Sequence, residues 1–236
     1  MKQPIQRLLA MVLSGVLFVA PPALFADPAK ATQIAGLGAV IDPSSDCKIE
    51  GNAQLLTIAI PGSDHALAAE QDRMNAPRIL QEISGDFSAE VKVWGTYPTE
   101  ISTVVPGRVP FQGAGLLLWV DSGTYIRLER AQIRIGEEHG VYPSWELRLA
   151  GKPLRMGTSG EGALSGTSAT VRIIRTGNKV TGAVSEDGKE WTQLDPLIVK
   201  LPEKVQIGVV AGHNTMTPFE ATFEKFTLTP AEKAKE

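Results

Sequence analysis

Past about Ile34 the sequence sustains no helical period. Apolar residues instead alternate with polar ones in short runs closed by Gly, Pro, Asn or Asp. A period of two is what a strand with one buried face requires. In 125–130, Ile126 and Leu128 oppose Tyr125, Arg127 and Glu129. In 88–94, Ala89, Val91 and Val93 oppose Glu90, Lys92 and Trp94. In 145–149, Trp145, Leu147 and Leu149 oppose Glu146 and Arg148. One dry and one wet face is the habit of antiparallel sheets stacked in two layers. Segment 115–120 is apolar on both faces, which suits a central strand. Strands are expected at 53–60, 78–83, 87–94, 113–120, 125–135, 145–150, 170–175, 179–184, 191–194, 205–211 and 219–228. Gly177-Asn178 and Asp187-Gly188 supply the positive φ that two-residue hairpin loops need. An all-β jelly-roll sandwich of two antiparallel sheets follows.

The 236-residue length admits a single sandwich domain, and no composition shift or flexible linker divides 31–229. Two long loops are expected, 96–110 with Pro98, Pro106 and Pro110, and the glycine-rich 151–166. The domain is expected over 27–229, followed by a charged tail at 230–236. Ahead of it, Lys2 and Arg7 precede an uncharged run, Pro21 and Pro22 break it, and Ala26 offers a small residue for cleavage. This is the layout of a secretory signal peptide over 1–26, placing the mature protein in the periplasm or outside the cell. No transmembrane segment is expected after it.

The whole chain carries a net charge of −3, and loss of Lys2 and Arg7 with the leader makes it more acidic. With no basic run, nucleic acid is not an expected partner. The chain has one cysteine, Cys47, which cannot form an internal disulfide and reads as a small buried side chain.

Catalytic signatures are sparse. A retaining glycosidase needs two carboxylates about 5–5.5 Å apart, which one strand supplies through an alternating Glu-x-Asp-x-(x)-Glu pattern. No such run is present, and Glu220 and Glu224 are spaced too widely. His65, His139 and His213 sit at no zinc-binding spacing. No nucleophile elbow, P-loop or dinucleotide fingerprint occurs. Asp42, Asp46 and Glu50 are close in sequence and oxygen-rich, which makes them candidates for a structural calcium; no other cofactor is expected.

Three stretches resemble the concanavalin A-like domains grouped as the regulation-of-enolase protein family, within the lectin/glucanase superfamily. They are Asp42–Cys47 with 75–78 and 85–93, then 113–121 with 125–130, and finally 175–178 with 185–191 and 219–223. The resemblance implies a concanavalin A-like jelly roll and implies no particular reaction. Ser185 to Trp191 is also similar to the Asp-box hairpin of sialidases, where Ser and Asp side chains bind the turn backbone. A single copy reads as a turn-stabilising device.

Sugars are bound by rings that cover their apolar faces and by charged groups that order their hydroxyls. Trp94, Tyr125, Arg127 and Glu129 on expected wet faces have this chemistry, with Trp119 as a further candidate. The function expected is therefore an exported, non-catalytic module for a glycan or another cell-envelope ligand. The alternatives are a glycoside hydrolase or lyase with an unrecognised site, and a structural or protein-interaction domain.

Overall fold

The computed structural model describes residues 32–98, 100–135, 138–157 and 162–231, with the side chains at 138 and 139 excepted. The expected export segment and most of the charged tail lie outside the described residues. The chain divides into a unit over Met1–Lys30 and a unit over Ala31–Glu236, and all that follows concerns the second.

Two eight-stranded sheets make up this unit, and every strand pair in them is antiparallel. The first sheet runs β1 (Gln33–Ile34), β2 (Gly38–Ile41), β7 (Arg78–Ser84), β17 (Lys204–His213), β9 (Phe111–Asp121), β10 (Thr124–Ile135), β11 (Glu138–Leu149), β12 (Lys152–Arg155). The second runs β15 (Thr192–Gln193), β14 (Lys179–Ser185), β13 (Ser168–Thr176), β8 (Phe87–Gly95), β18 (Phe219–Pro230), β4 (Leu55–Ile60), β3 (Lys48–Gly51). Here β16 (Leu197–Ile198) also pairs with β14. A small ribbon of β5 (Leu67–Ala68) and β6 (Arg73–Met74) stands apart, joined by a 3₁₀ turn at Ala69–Gln71. No helix among the described residues is long and apolar enough to cross a membrane.

The dry faces predicted by alternation meet between the sheets. Val91, Val93, Leu116, Leu118, Ile126, Leu128, Val171, Ile173, Val209 and Phe223 share one buried cluster. Each such side chain contributes roughly 1.5–3 kcal/mol by leaving water. Trp145 lies fully buried among them, its indole N–H donating to the Asp195 carbonyl at 2.9 Å. Cys47 packs, half-buried, against the same cluster.

All eleven expected strands form, most with ends shifted by one or two residues; β11 starts seven residues early at Glu138. The short strands β1, β2, β3, β5, β6 and β16 were not expected, and β12 interrupts what reads as a loop over 151–166. Runs of two to four residues are too short to display a period. The Ser185–Trp191 hairpin behaves as its chemistry implies. Asp187 Oδ1 accepts from the amides of Lys189 at 2.8 Å and Glu190 at 2.9 Å, and Gly188 N–H donates to Ser185 Oγ at 2.8 Å. Arg172 lies over the Trp191 ring at 3.7 Å.

One feature of the sequence reading is corrected by the fold. The polar face of the first sheet, expected to be wet, is covered by the segment 61–76, which carries β5, the 3₁₀ turn and β6. On that face Tyr125 and Glu129 are 0% exposed and Arg127 is 7% exposed, with the Ala69 amide of the cover donating to Tyr125 Oη.

Candidate functional site

Cross-strand register assembles the site. Tyr125 stands opposite Arg148, Arg127 opposite Glu146 and Glu129 opposite Ser144 across β10 and β11. On the other side Tyr125 faces Trp119 of β9. Because neighbouring strands direct paired residues to one face, four charges and two rings gather on the outer face of the first sheet.

Arg127 lies between the two carboxylates. It donates to Glu146 through Nε at 2.8 Å and through Nη2 at 2.7 Å, and its Nε stands 3.3 Å from Glu129 Oε2. Glu146 also accepts from Arg148 Nη1 and from Ser144 Oγ, the latter at 3.1 Å. Burial alone would raise the Glu146 carboxyl, but the two guanidiniums outweigh it and hold it below the usual carboxylate range. Glu129 has the opposite fate. Neither of its oxygens has a hydrogen-bond partner among the described residues, and burial, with the Glu146 charge adding to it, pushes its carboxyl up to about 7. Two carboxylates on adjacent strands thus differ in protonation tendency. The pair leaves no mark within either strand's own sequence, because its members lie on neighbouring strands, β10 and β11.

The cover is fastened to this face by polar contacts. Arg148 reaches Glu70 with Nε and Nη2, each at 3.3 Å, and the Ala69 amide donates to Tyr125 Oη at 3.3 Å. Arg73 pairs with Asp64 within the cover, and Asn75 holds its backbone by accepting from Ala66 N–H and donating to the Asp64 carbonyl. Further along the same face, Arg78 lies over the Trp119 ring at 4.7 Å, and Trp119 stacks on Tyr125 with centroids 5.6 Å apart. Burial lowers the Arg78 guanidinium to about 10.

Between cover and sheet a cavity of about 220 Å³ remains. Phe111 and Tyr142 supply rings to its wall, and Arg127, Glu146, Arg148 and Glu70 supply charge. Arg108 and the half-exposed Val109 and Met156 stand at its rim. Glu129 is not part of the lining. A Cβ on Gly113 would come within 2.8 Å of Phe111 Cζ and 3.3 Å of Glu129 Cδ, so the missing side chain makes room for both. The Phe111 ring therefore fills a place beside the buried carboxyl while facing the cavity.

The structure does not bring the five ligand-binding candidates together. Trp119, Tyr125, Arg127 and Glu129 share the covered face. Trp94 belongs to the second sheet and lines a separate, wider cleft with Tyr97, Arg130, Ser165 and Glu220. Lys92 lies over its ring at 4.2 Å. The three calcium candidates are likewise not brought to one point among the described residues. Asp42 accepts from the amides of Ser45 at 3.2 Å and Cys47 at 3.0 Å, Asp46 binds His65, and Glu50 pairs with Lys48 at 3.0 Å. Among the described residues, no metal-sized cluster includes Asp42 or Glu50. Asx-turn bonding takes up the first carboxylate, and a neighbouring ammonium the last.

No family model matches this sequence, and no curated protein matches it. Solved structures do. A functionally unknown protein from Saccharomyces cerevisiae is 19% identical, with a TM-score of 0.66 over 86% of this chain and 100% of that one. The carbohydrate-binding module CBM66 from Bacillus subtilis is 10% identical, with a TM-score of 0.49 over 84% of this chain and 99% of its own. The VIP36 exoplasmic/lumenal domain, in a form bound to Ca²⁺ and Man3GlcNAc, is also 10% identical at 0.49, over 81% and 84%. At such identities the likeness is one of fold. The yeast protein shares the fold at that level, and the resemblance to the regulation-of-enolase family is matched by no family model.

Proposed function

We propose that the protein binds a sugar, free or at the end of a cell-envelope glycan, in the cavity beneath the 61–76 cover, without chemical transformation. The observation that carries this reading is the composition of that one space. Two rings, Phe111 and Tyr142, stand beside hydrogen-bonding charges already held in place by their own partners. The volume of about 220 Å³ falls below the roughly 300–1,000 Å³ of pockets for drug-sized ligands, which suits one sugar ring. Arg108 at the rim has no side-chain partner among the described residues and would meet a carboxylate or hydroxyl of the ligand. Export through 1–26 to the periplasm or the cell exterior accompanies this reading.

Glycan-array screening followed by isothermal titration of the purified protein tests it. Phe111→Ala and Arg108→Ala are each expected to weaken the best ligand at least tenfold. Silence across neutral and acidic monosaccharides and envelope polysaccharides would overturn it.

A glycoside hydrolase or lyase is the second reading, favoured by the opposed carboxyls of Glu129 and Glu146. Such divergence is how acid and base roles are divided between two carboxyls. Against it, Glu129 is 0% exposed and stands outside the cavity lining, so a substrate has no path to it in this conformation. Reducing ends released from a polysaccharide panel, and abolished by Glu129→Gln, would establish catalysis.

A further inference from the structure

We propose that Asp46, Cys47 and His65 form a binding site for one divalent transition-metal ion of the zinc class. Their donor atoms all lie within 4.8 Å of one another. His65 Nε2 is 2.8 Å from Asp46 Oδ1, and Cys47 Sγ is 3.7 Å from the same oxygen. A tetrahedral zinc with bonds of ~2.0–2.3 Å keeps its donors about 3.3–3.8 Å apart. The sulfur is already at such a distance from the carboxylate. The hydrogen-bonded Asp46–His65 contact has to open by about 0.5 Å, with a metal taking the place of the proton.

The surroundings prepare each donor. Asp42 folds the turn ahead of β3 by accepting from Ser45 N–H and Cys47 N–H, with Ser45 at φ 56°, and this turns consecutive side chains toward His65. His65 is 1% exposed. Its backbone exchanges hydrogen bonds with His213 at 2.9 and 2.8 Å, and its ring stacks on that of His213 at 6.1 Å. The distal nitrogen, Nδ1, stands 3.4 Å from both Ser63 Oγ and Ser63 O. A carbonyl behind the second ring nitrogen is the arrangement that orients a metal-bound imidazole and leaves Nε2 for the ion. The Asp46 side chain is 44% exposed, so a fourth position opens to water.

The donor set selects among metals. Thiolate and imidazole suit zinc and its neighbours, whereas calcium and magnesium require oxygen throughout. Burial and the nearby Asp42 and Asp46 carboxylates push the Cys47 thiol well above its ordinary range. A bound dication reverses that balance and deprotonates the sulfur. An ion here would tie the β2–β3 turn to the start of the cover, independently of whether the cavity takes a sugar.

Titration of the purified protein with Co²⁺, and zinc analysis after dialysis, test the site. One equivalent of cobalt is expected, with a thiolate-to-metal charge-transfer band and tetrahedral d–d absorption. Cys47→Ser should abolish the charge-transfer band and weaken zinc binding at least tenfold. Asp46→Asn, at a solvent-facing position, should weaken it similarly and serves should the cysteine variant fail to fold. Uptake below stoichiometry, or binding indifferent to both substitutions, would overturn the proposal.

Discussion

Arg148 and Glu70 meet face to face across the edge of the cavity, the guanidinium rising from β11 and the carboxylate descending from the cover, with two contacts of 3.3 Å. Burial raises the Glu70 carboxyl, but hydrogen bonds from Arg148 outweigh it and hold it low. This pair and the Ala69–Tyr125 contact are the polar fastenings between the 3₁₀ turn and the sheet. Glu70→Ala is therefore expected to speed hydrogen exchange of the 65–75 amides, with strands β9 and β10 unchanged. Mass-spectrometric exchange reads this directly. Unaltered protection over 65–75 would show that the cover is held without the Arg148–Glu70 pair.

Glu129 gives a pH signature of unusual sign. Its carboxyl is raised to about 7 in the folded protein, above its unfolded value near 4.3. Between these values the unfolded chain releases the proton first, so this group lowers stability as pH rises and adds nothing further above about 7. Glu129→Gln keeps the shape and removes the titration. Urea denaturation should show the variant gaining on the wild type from pH 5 to pH 8 by on the order of 2 kcal/mol. A difference that stays constant with pH would place the carboxyl in contact with water or with an unseen partner.

Glu146 behaves in the contrary manner. Arg127, Arg148 and Ser144 all donate to it, and its folded carboxyl lies below the normal range. Its contribution is present above the unfolded value and is lost as pH falls through the folded one. Glu146→Ala leaves two buried guanidiniums without their shared anion and should cost about 3–5 kcal/mol in denaturant unfolding. Glu146→Gln, which still accepts hydrogen bonds, should cost less. Equal losses from the two changes would mean that charge, and not hydrogen bonding, dominates.

Gly113 is a steric test of the cavity wall. Gly113→Ala places a methyl 2.8 Å from Phe111 Cζ, too close to coexist with the ring in its present position. Overpacking of this kind costs roughly 1–3 kcal/mol. The ring is expected to swing into the cavity, so any sugar affinity should fall more than stability does. Melting temperature and titration, measured together, separate the two effects.

The alternation around Ile126, Leu128, Val91 and Val93 made the two layers and their shared interior readable, because a period of two commits every side chain in a strand. It also placed Tyr125, Arg127 and Glu129 away from the interior. It could not show that they are covered, since β5 and β6 are two residues each and carry no pattern. One signal was available. Arg127, standing opposite Glu146 across the hairpin, sets one charge against its opposite. That complementarity indicates an internally satisfied face in place of a solvated one. Trp94 could not be separated from the others by pattern, because alternation says which face of a strand a residue takes and not which sheet the strand joins. The meeting of Asp46, Cys47 and His65 depends on where two irregular segments come to rest, and spacing holds no record of it.

The position of β18 between β4 and β8 has a bearing on how the chain folds. β18, the last of the described strands, occupies the interior of the second sheet, and without it β4 and β8 present two unpaired ladders where one continuous sheet should be. Closure of that layer waits for distant partners to meet, and such long-range pairing is slow. Until β18 docks, both ladders stay open to other chains.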